Sequence, residues 1–146
     1  MAVMDFAMSA KAADYHKRLS DFMVENVFPA EASYHAYREE KGPKDHTVPP
    51  VVEELKAKAK AAGLWNLFLP SESGLTNLEY APLAELSGWS MEIAPEVLNC
   101  AAPDTGNMET LHLFATEAQS KQWLEPLLAG KIRSAFAMTE PTRHAQ

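Results

Sequence analysis

Cysteine is almost missing from this 146-residue chain, in which Cys100 is the single example. One cysteine excludes an internal disulfide, and because no group of Cys and His residues accompanies it, the sequence offers no ligand set for a structural zinc ion. We therefore predict no metal site. A reducing, cytoplasmic location suits such a composition best.

Basic residues are also in short supply, with 13 Lys and Arg against 20 Asp and Glu and a formal net charge of -7. Because an acidic chain repels phosphate backbones, nucleic acid is excluded as an expected partner. No apolar run approaches the length of about 20 residues that a membrane span requires. Residues 1–6 (MAVMDF) lack the apolar core of a secretory signal and the Arg-rich character of a transit peptide, so we expect a soluble protein.

What the chain does contain is typical of a globular protein that folds. Hydrophobic residues make up 47% and charged residues 23% of the sequence, close to the average for soluble domains. Its length suits one domain with one core.

The first half carries apolar residues three or four apart, the spacing of amphipathic helices. One helix is predicted to start from a cap at Ser9 and to end at Pro29, because proline cannot continue a regular helix. A second lies between a cap at Thr47 and a terminal Gly63. Asn77 is the predicted cap of a third.

The second half predicts further helices and then a change of period. The Ala-rich stretch 91–102 is predicted as a central helix, 103–106 as a break, and 107–114 as another helix. Thr116 opens a capping box ahead of a helix that ends at Gly130. Ile132, Ser134, Phe136 and Met138 then fall on alternating positions, the period of a strand. The predicted fold is an all-α helical bundle with a single orphan β-strand at the C-terminus.

Five segments carry a resemblance to a known family, and they occur in the family's order and spacing. Together they resemble the N-terminal helical domain of acyl-CoA dehydrogenases. The segments are 63–70 (GLWNLFLP), 77–81 (NLEYA), 102–109 (APDTGNME), 122–130 (QWLEPLLAG) and 136–141 (FAMTEP). The resemblance implies that 1–130 form the helical domain and that 131–146 are the truncated start of the family's β-domain.

The resemblance also implies a chemistry, the FAD-dependent α,β-dehydrogenation of acyl-CoA thioesters. Thr139 would donate hydrogen bonds from its hydroxyl and backbone amide to the pyrimidine edge of the flavin. The family's proton-abstracting Glu lies beyond residue 146, so no catalytic residue is assigned here. Family members are homo-oligomers that bind acyl-CoA. The residues implied at the cofactor are Phe136, Ala137, Met138, Thr139, Glu140 and Pro141.

The last residues, 142–146 (TRHAQ), depart from the small-residue loop that normally follows in the family. We therefore expect a chain that is inactive alone, because the catalytic Glu and most of the FAD site are missing. The alternative is a non-catalytic helical module that binds acyl-CoA or a related full-length subunit. The segment lacks a cap or a pattern, which favours the first hypothesis.

Some residues keep two interpretations. Segment 104–107 (DTGN) is either capping and turn chemistry or part of a substrate-pocket wall. Thr139 is either the end of an ordinary strand or a flavin contact. His112 is expected at a core or interface position rather than as a base, and Cys100 as a small packed residue. Apolar faces on 91–102 and 107–114 predict that the isolated chain self-associates.

Overall fold

The computed structural model describes residues 7–139, and the chain divides into two compact units, 1–100 and 101–146. The predicted all-α fold is confirmed. The helices of the first unit are α1 Ala10–Phe22, α2 Phe28–Lys41, α3 Pro50–Ala61, α4 Pro70–Ser73, α5 Asn77–Gly88 and α6 Ala94–Val97. Those of the second unit are α7 Asp104–Phe114, α8 Glu117–Gln119 and α9 Glu125–Leu128, and π turns at Met23–Val27 and Ser120–Leu124 join α1 to α2 and α8 to α9.

The core of the first unit lies among its longer helices. Helix α1 packs against α5, and α3 packs against both α2 and α6. Aliphatic side chains fill the space between them, which is the apolar burial that drives folding. Large and fully buried members of this core include Leu19, Met23, Leu64, Leu75, Leu83 and Ile93.

Two helices are capped by the residue that the sequence predicts, and a third is capped by the residue before the predicted one. Ser9 caps α1, its Oγ accepting from the Ala12 amide at 3.2 Å. The capping box at Thr116 is confirmed. The cap of α5 is Thr76 rather than Asn77, because Thr76 and Glu79 form a reciprocal capping box that Asn77 has no partner to match.

Thr47 is not the cap of α3, and that prediction is wrong. Helix α3 begins at Pro50, with Pro49 at the cap position and no side-chain capping bond. The Thr47 amide instead donates to Asp45 Oδ1 at 2.9 Å, and the Thr47 hydroxyl donates to the same oxygen. Thr47 cannot act as the cap, because the residues whose amides its side chain would accept from are Pro49 and Pro50, and proline has no backbone N–H.

Pro29 does not end the first helix, which runs without a break from α1 through the π turn into α2. In this turn the Phe28 amide bonds to the Met23 carbonyl, five residues back. A π turn is wider than an α turn, so it gives the pyrrolidine ring the room that a regular helix denies it. Pro126 follows the second π turn in the same way, two residues after Leu124.

The predicted central helix 91–102 is also wrong. Only Ala94–Val97 is helical there, since Asn99 has a left-handed φ of 55° that a helix cannot contain. The predicted break at 103–106 is largely absent, because α7 already begins at Asp104. The chain therefore bends before Asp104 and not after it.

The orphan strand at 132–139 is a further incorrect prediction, since the structure assigns no strand anywhere in residues 7–139. A strand is defined by hydrogen bonds to a partner strand, and no described segment supplies one. The domain boundary at residue 130 stays a prediction. Within the described residues, no helix is both long enough and apolar enough to cross a membrane.

Candidate functional site

The predicted cofactor segment follows the last helix of the second unit and is an exposed stretch without secondary structure. Phe136, Ala137, Met138 and Thr139 are all exposed. No hydrogen bond joins these four residues to another described residue. Glu140 and Pro141 lie outside the described residues.

A cluster around Asp104 holds the chain just before this segment. Asp104 is only 2% exposed although it carries a carboxylate. Its Oδ1 accepts from the Ser134 amide at 2.7 Å and from the Ser134 hydroxyl at 2.5 Å, and its Oδ2 accepts from Arg133 Nε. We call these three residues, Asp104, Arg133 and Ser134, the Asp104 clasp.

The chemistry of the clasp explains why a carboxylate can be buried there. An isolated buried charge is very costly, but one paired with a guanidinium and bonded to two further donors is compensated. Burial lowers the pKa of Arg133 from its usual value, in agreement with its partial removal from water. Asn107 adds a bond from Nδ2 to Ser134 Oγ at 2.8 Å.

The clasp shows that the side chains of Asp104 and Asn107 do not cap α7, while the substrate-pocket wall stays a prediction for segment 104–107. Asp104 and Asn107 both direct their side chains to Ser134, and α7 has no side-chain cap at its start. The role of these two residues is therefore to anchor residues 133–134. Sequence reasoning missed this partnership because 29 positions separate Asp104 from Arg133, and no local pattern links the two.

A cleft of about 420 Å³ lies beside the clasp within the second unit. Its walls come from α7, from the second π turn and α9, and from the chain after Lys131. The lining side chains are mainly apolar and include Leu111, Trp123, Leu127 and Ile132. Trp123, expected as a core or contact anchor, is partly exposed at this cleft.

The other titratable candidates do not assemble into a catalytic group. His112 is exposed on α7, so the expected core position is wrong, and the alternative of an interface position stays a prediction. Cys100 is packed as predicted, and burial is the main cause that raises the pKa of both its thiol and the neighbouring Tyr80 hydroxyl. Within residues 7–139, no three His, Cys, Asp or Glu side chains could together hold a metal ion.

Comparison with known proteins gives a consistent result. The family model for the acyl-CoA dehydrogenase N-terminal domain matches residues 10–131. "Probable acyl-CoA dehydrogenase FadE2" of Mycobacterium tuberculosis is 76% identical over 138 residues, which are 94% of this chain and 34% of that protein. "Acyl-CoA dehydrogenase family member 11" of Gallus gallus is 52% identical over 138 residues, 93% of this chain and 18% of that protein.

A solved structure gives the same result for the fold. A chain from Mycobacterium abscessus that carries the name acyl-CoA dehydrogenase superposes with a TM-score of 0.85 at 49% identity, covering 94% of this chain and 36% of that one. The present chain therefore spans about a third or less of the length of these relatives. The matched region contains all the helices described above and the Asp104 carboxylate.

Proposed function

The chain belongs to the acyl-CoA dehydrogenase N-terminal domain family, and from this premise we propose that it works as part of an FAD-dependent enzyme that dehydrogenates acyl-CoA thioesters between the α and β carbons. Residues 136–139 are its contribution to the cofactor site. The observation that carries the proposal is the exposed backbone of this segment, which bonds to no other described residue and is held at its base by the Asp104 clasp.

The residues present fit a flavin edge. The pyrimidine ring of a flavin carries both acceptors and a donor, so a backbone with unused amides and carbonyls is a suitable complement. Thr139 supplies two donors, its hydroxyl and its amide, and the backbone of Phe136, Ala137 and Met138 runs alongside. The exposed apolar side chains of Phe136 and Met138 would shield the contact from water.

The same assignment gives separate roles to the cofactor and to the residues of this chain. When bound, FAD supplies the hydride-accepting chemistry of the reaction. The residues of this chain hold and orient the cofactor, and the helices contribute walls to the acyl-CoA site. No described Glu is assigned the task of removing the α proton, so we propose no catalytic base among residues 7–139.

The first test is flavin binding by the purified 146-residue chain. The chain is mixed with FAD, separated by size-exclusion chromatography, and its visible absorbance is recorded. An oxidised-flavin spectrum that elutes with the protein would mean that residues 136–139 and the helices form a usable half-site. A chain that stays colourless would mean that residues 136–139 are insufficient to hold the cofactor without the rest of the FAD site.

A substitution assigns the binding to the proposed residue. Thr139→Val removes one hydroxyl donor at nearly constant volume, and a hydrogen bond of this kind contributes about 1 kcal/mol, or roughly a fivefold change in the dissociation constant. Thr47→Val removes an exposed hydroxyl in the first unit and serves as the control. Equal affinities for the two variants would remove Thr139 from the site.

A colourless chain that nevertheless binds an acyl-CoA in isothermal titration would favour the second hypothesis, a helical module without flavin. We also propose that the protein self-associates, as the exposed Leu113 and Phe114 side chains support. The cytoplasmic location stays a prediction.

A further inference from the structure

We propose that Asp104 is a positioning residue, which acts through Arg133 and Ser134 to fix where residues 136–139 leave the helical unit. The inference deepens the proposed function and rests on it for the identity of the ligand, a flavin. The positional claim itself concerns this chain alone and can be tested without any ligand.

The bonds of the clasp restrain the backbone directly as well as the side chains. The Ser134 amide is part of the main chain, and its 2.7 Å bond to Asp104 Oδ1 leaves little freedom at that peptide. The hydroxyl of the same residue bonds to the same oxygen, and Arg133 binds the second oxygen. Two consecutive residues are therefore tied to one buried carboxylate.

The carboxylate is itself on a rigid support. Asp104 lies in the first turn of α7, a helix of 11 residues that packs against the second π turn and α9. Met108, one turn further along, is fully buried. The clasp thus transfers the position of a packed helix to the chain that follows Ser134.

Chain length shows why this anchor matters for Thr139. The last backbone hydrogen bond before the segment joins the Lys131 amide to the Pro126 carbonyl at 2.8 Å. Thr139 lies eight positions after Lys131, its nearest fixed point without the clasp, but only five positions after Ser134. For Phe136 the tether shortens from five residues to two, which confines it to within about 7 Å of Ser134.

The contributions of Asp104 and Ser134 can be tested separately, because each substitution removes a different bond of the clasp. Asp104→Asn keeps an oxygen for the Ser134 donors but removes the charge that pairs with Arg133. Ser134→Ala keeps the backbone bond and removes the hydroxyl. Glu109→Gln is the matched control, since it neutralises an exposed carboxylate on the same helix.

The ligand-free experiment is amide hydrogen exchange of the 146-residue chain, followed residue by residue with nuclear magnetic resonance. We expect the Ser134 amide to exchange at least tenfold more slowly than an unfolded peptide. Asp104→Asn should accelerate exchange at Ser134 about tenfold while leaving the amides of α3 unchanged, and Glu109→Gln should change neither. A Ser134 amide without protection in the unmodified chain, or with unchanged protection in Asp104→Asn, would overturn the proposal.

The second readout separates positioning from general stability. FAD titrations should give a dissociation constant five- to tenfold higher for Asp104→Asn, and a smaller increase for Ser134→Ala, at temperatures where far-ultraviolet circular dichroism shows both variants folded. Unchanged affinity with accelerated exchange would mean that the clasp is structural only, and the proposal would fail.

Two other results would not by themselves overturn the positioning role of Asp104. If the unmodified chain binds no FAD, the proposed function fails for this chain, and the exchange data alone then decide whether Asp104 positions the segment. If Asp104→Asn does not fold, Ser134→Ala decides, because the half-buried Ser134 hydroxyl can be removed without leaving Asp104 unpaired.

Discussion

Asn99 Nδ2 donates a hydrogen bond of 2.7 Å to Asn66 Oδ1, and both residues are buried with left-handed backbones, at φ values of 55° and 59°. The Asn66 amide also bonds to the Leu98 carbonyl at 3.2 Å. Two sharp bends that lie 33 residues apart are thereby joined by their side chains. Asparagine suits both positions, because it tolerates a left-handed backbone and supplies both donor and acceptor.

Substitutions at Asn99 should separate backbone strain from the lost hydrogen bond. Asn99→Ala should destabilise the fold by about 2 to 4 kcal/mol, since it loses a buried bond and strains a left-handed residue. Asn99→Gly loses the bond but not the backbone freedom, so it should be less destabilising by about 1 kcal/mol. Urea unfolding measures both, and equal losses would contradict the contribution of strain.

The buried ammonium of Lys56 bonds to two carboxylates, one partly buried and one exposed. Its Nζ lies 2.6 Å from Glu96 Oε1 and 2.8 Å from Glu53 Oε1, and the side chains of these partners are 19% and 63% exposed. Glu96→Gln should destabilise the protein by about 1 to 3 kcal/mol, because it leaves a buried ammonium with one partner. Glu53→Gln should cost less than about 1 kcal/mol. Similar midpoints in urea for the two variants would contradict this difference.

Glu79 predicts a pH dependence at the start of α5. Hydrogen bonds from the Ser9 side chain, the Thr76 amide and the Thr76 hydroxyl lower the pKa of Glu79 from 4.5 to about 2. Because the folded state favours the charged form, this stabilisation is complete above pH 4.5 and is lost as the pH falls towards 2.

Thermal melting of Glu79→Gln beside the unmodified chain measures this contribution. The difference in melting temperature should be constant between pH 5 and pH 7, and it should shrink below the pKa of an unperturbed glutamate, about 4.3. Glu85→Gln, at an exposed position of the same helix, should show no such trend. A difference that grows as the pH falls would refute the assigned direction.

Cys100 should be an unreactive thiol. Burial raises its pKa, and thiolate is the form that reacts with disulfide reagents. We expect labelling by dithiobisnitrobenzoate at pH 8 to be at least tenfold slower in the folded chain than in urea. Rapid stoichiometric labelling without denaturant would show that the packing around Tyr80 and Cys100 opens readily.

Leu113 and Phe114, at the end of α7, are the proposed contacts for self-association. Both large apolar side chains are exposed, and paired exposed residues of this kind favour burial against another molecule. Leu113→Ser together with Phe114→Ser should lower the average mass measured by light scattering. The paired substitution Glu109→Gln and Thr110→Ser, also at exposed positions of α7, is the control. A monodisperse monomer before any substitution would contradict the proposal.

Local chemistry accounts for the helices that could be predicted. Ser9 and Thr116 carry the hydroxyl that a first turn needs, and the apolar spacing of α1 marks its buried face. The prediction at Thr47 failed because the amides that its side chain would cap belong to Pro49 and Pro50, and proline has no N–H. Cap residues therefore indicate helix starts only where the first turn supplies amides for them to accept from.

Prolines show the same dependence on surroundings. Pro29 and Pro126 each follow a π turn and lie inside a continuous helix. Whether a helix ends at a proline or continues past it through a π turn depends on how much apolar surface the side chains around that turn bury. For Pro29, the side chains of Met23 and Val27 lie in the core, so continuation of the helix is the more stable outcome.

The candidate site divides in a similar way. The motif at 136–141 is read from residues that are adjacent in the sequence, and its role at a flavin stays a prediction for all six residues. The Asp104 clasp could not be recognised, since each of its members is an ordinary residue until the fold brings Arg133 and Ser134 to a buried carboxylate.

The sequence by itself determined that this protein is helical, that it is acidic and to which family it belongs, because composition, spacing and motif order are properties of neighbours along the chain. Only the tertiary structure decided that 132–139 is not a strand, that Asn66 pairs with Asn99 and that Asp104 anchors Ser134. These outcomes depend on which polar groups are buried and hydrogen-bonded to each other. Groups about 30 residues apart in the sequence become neighbours only when the chain has folded.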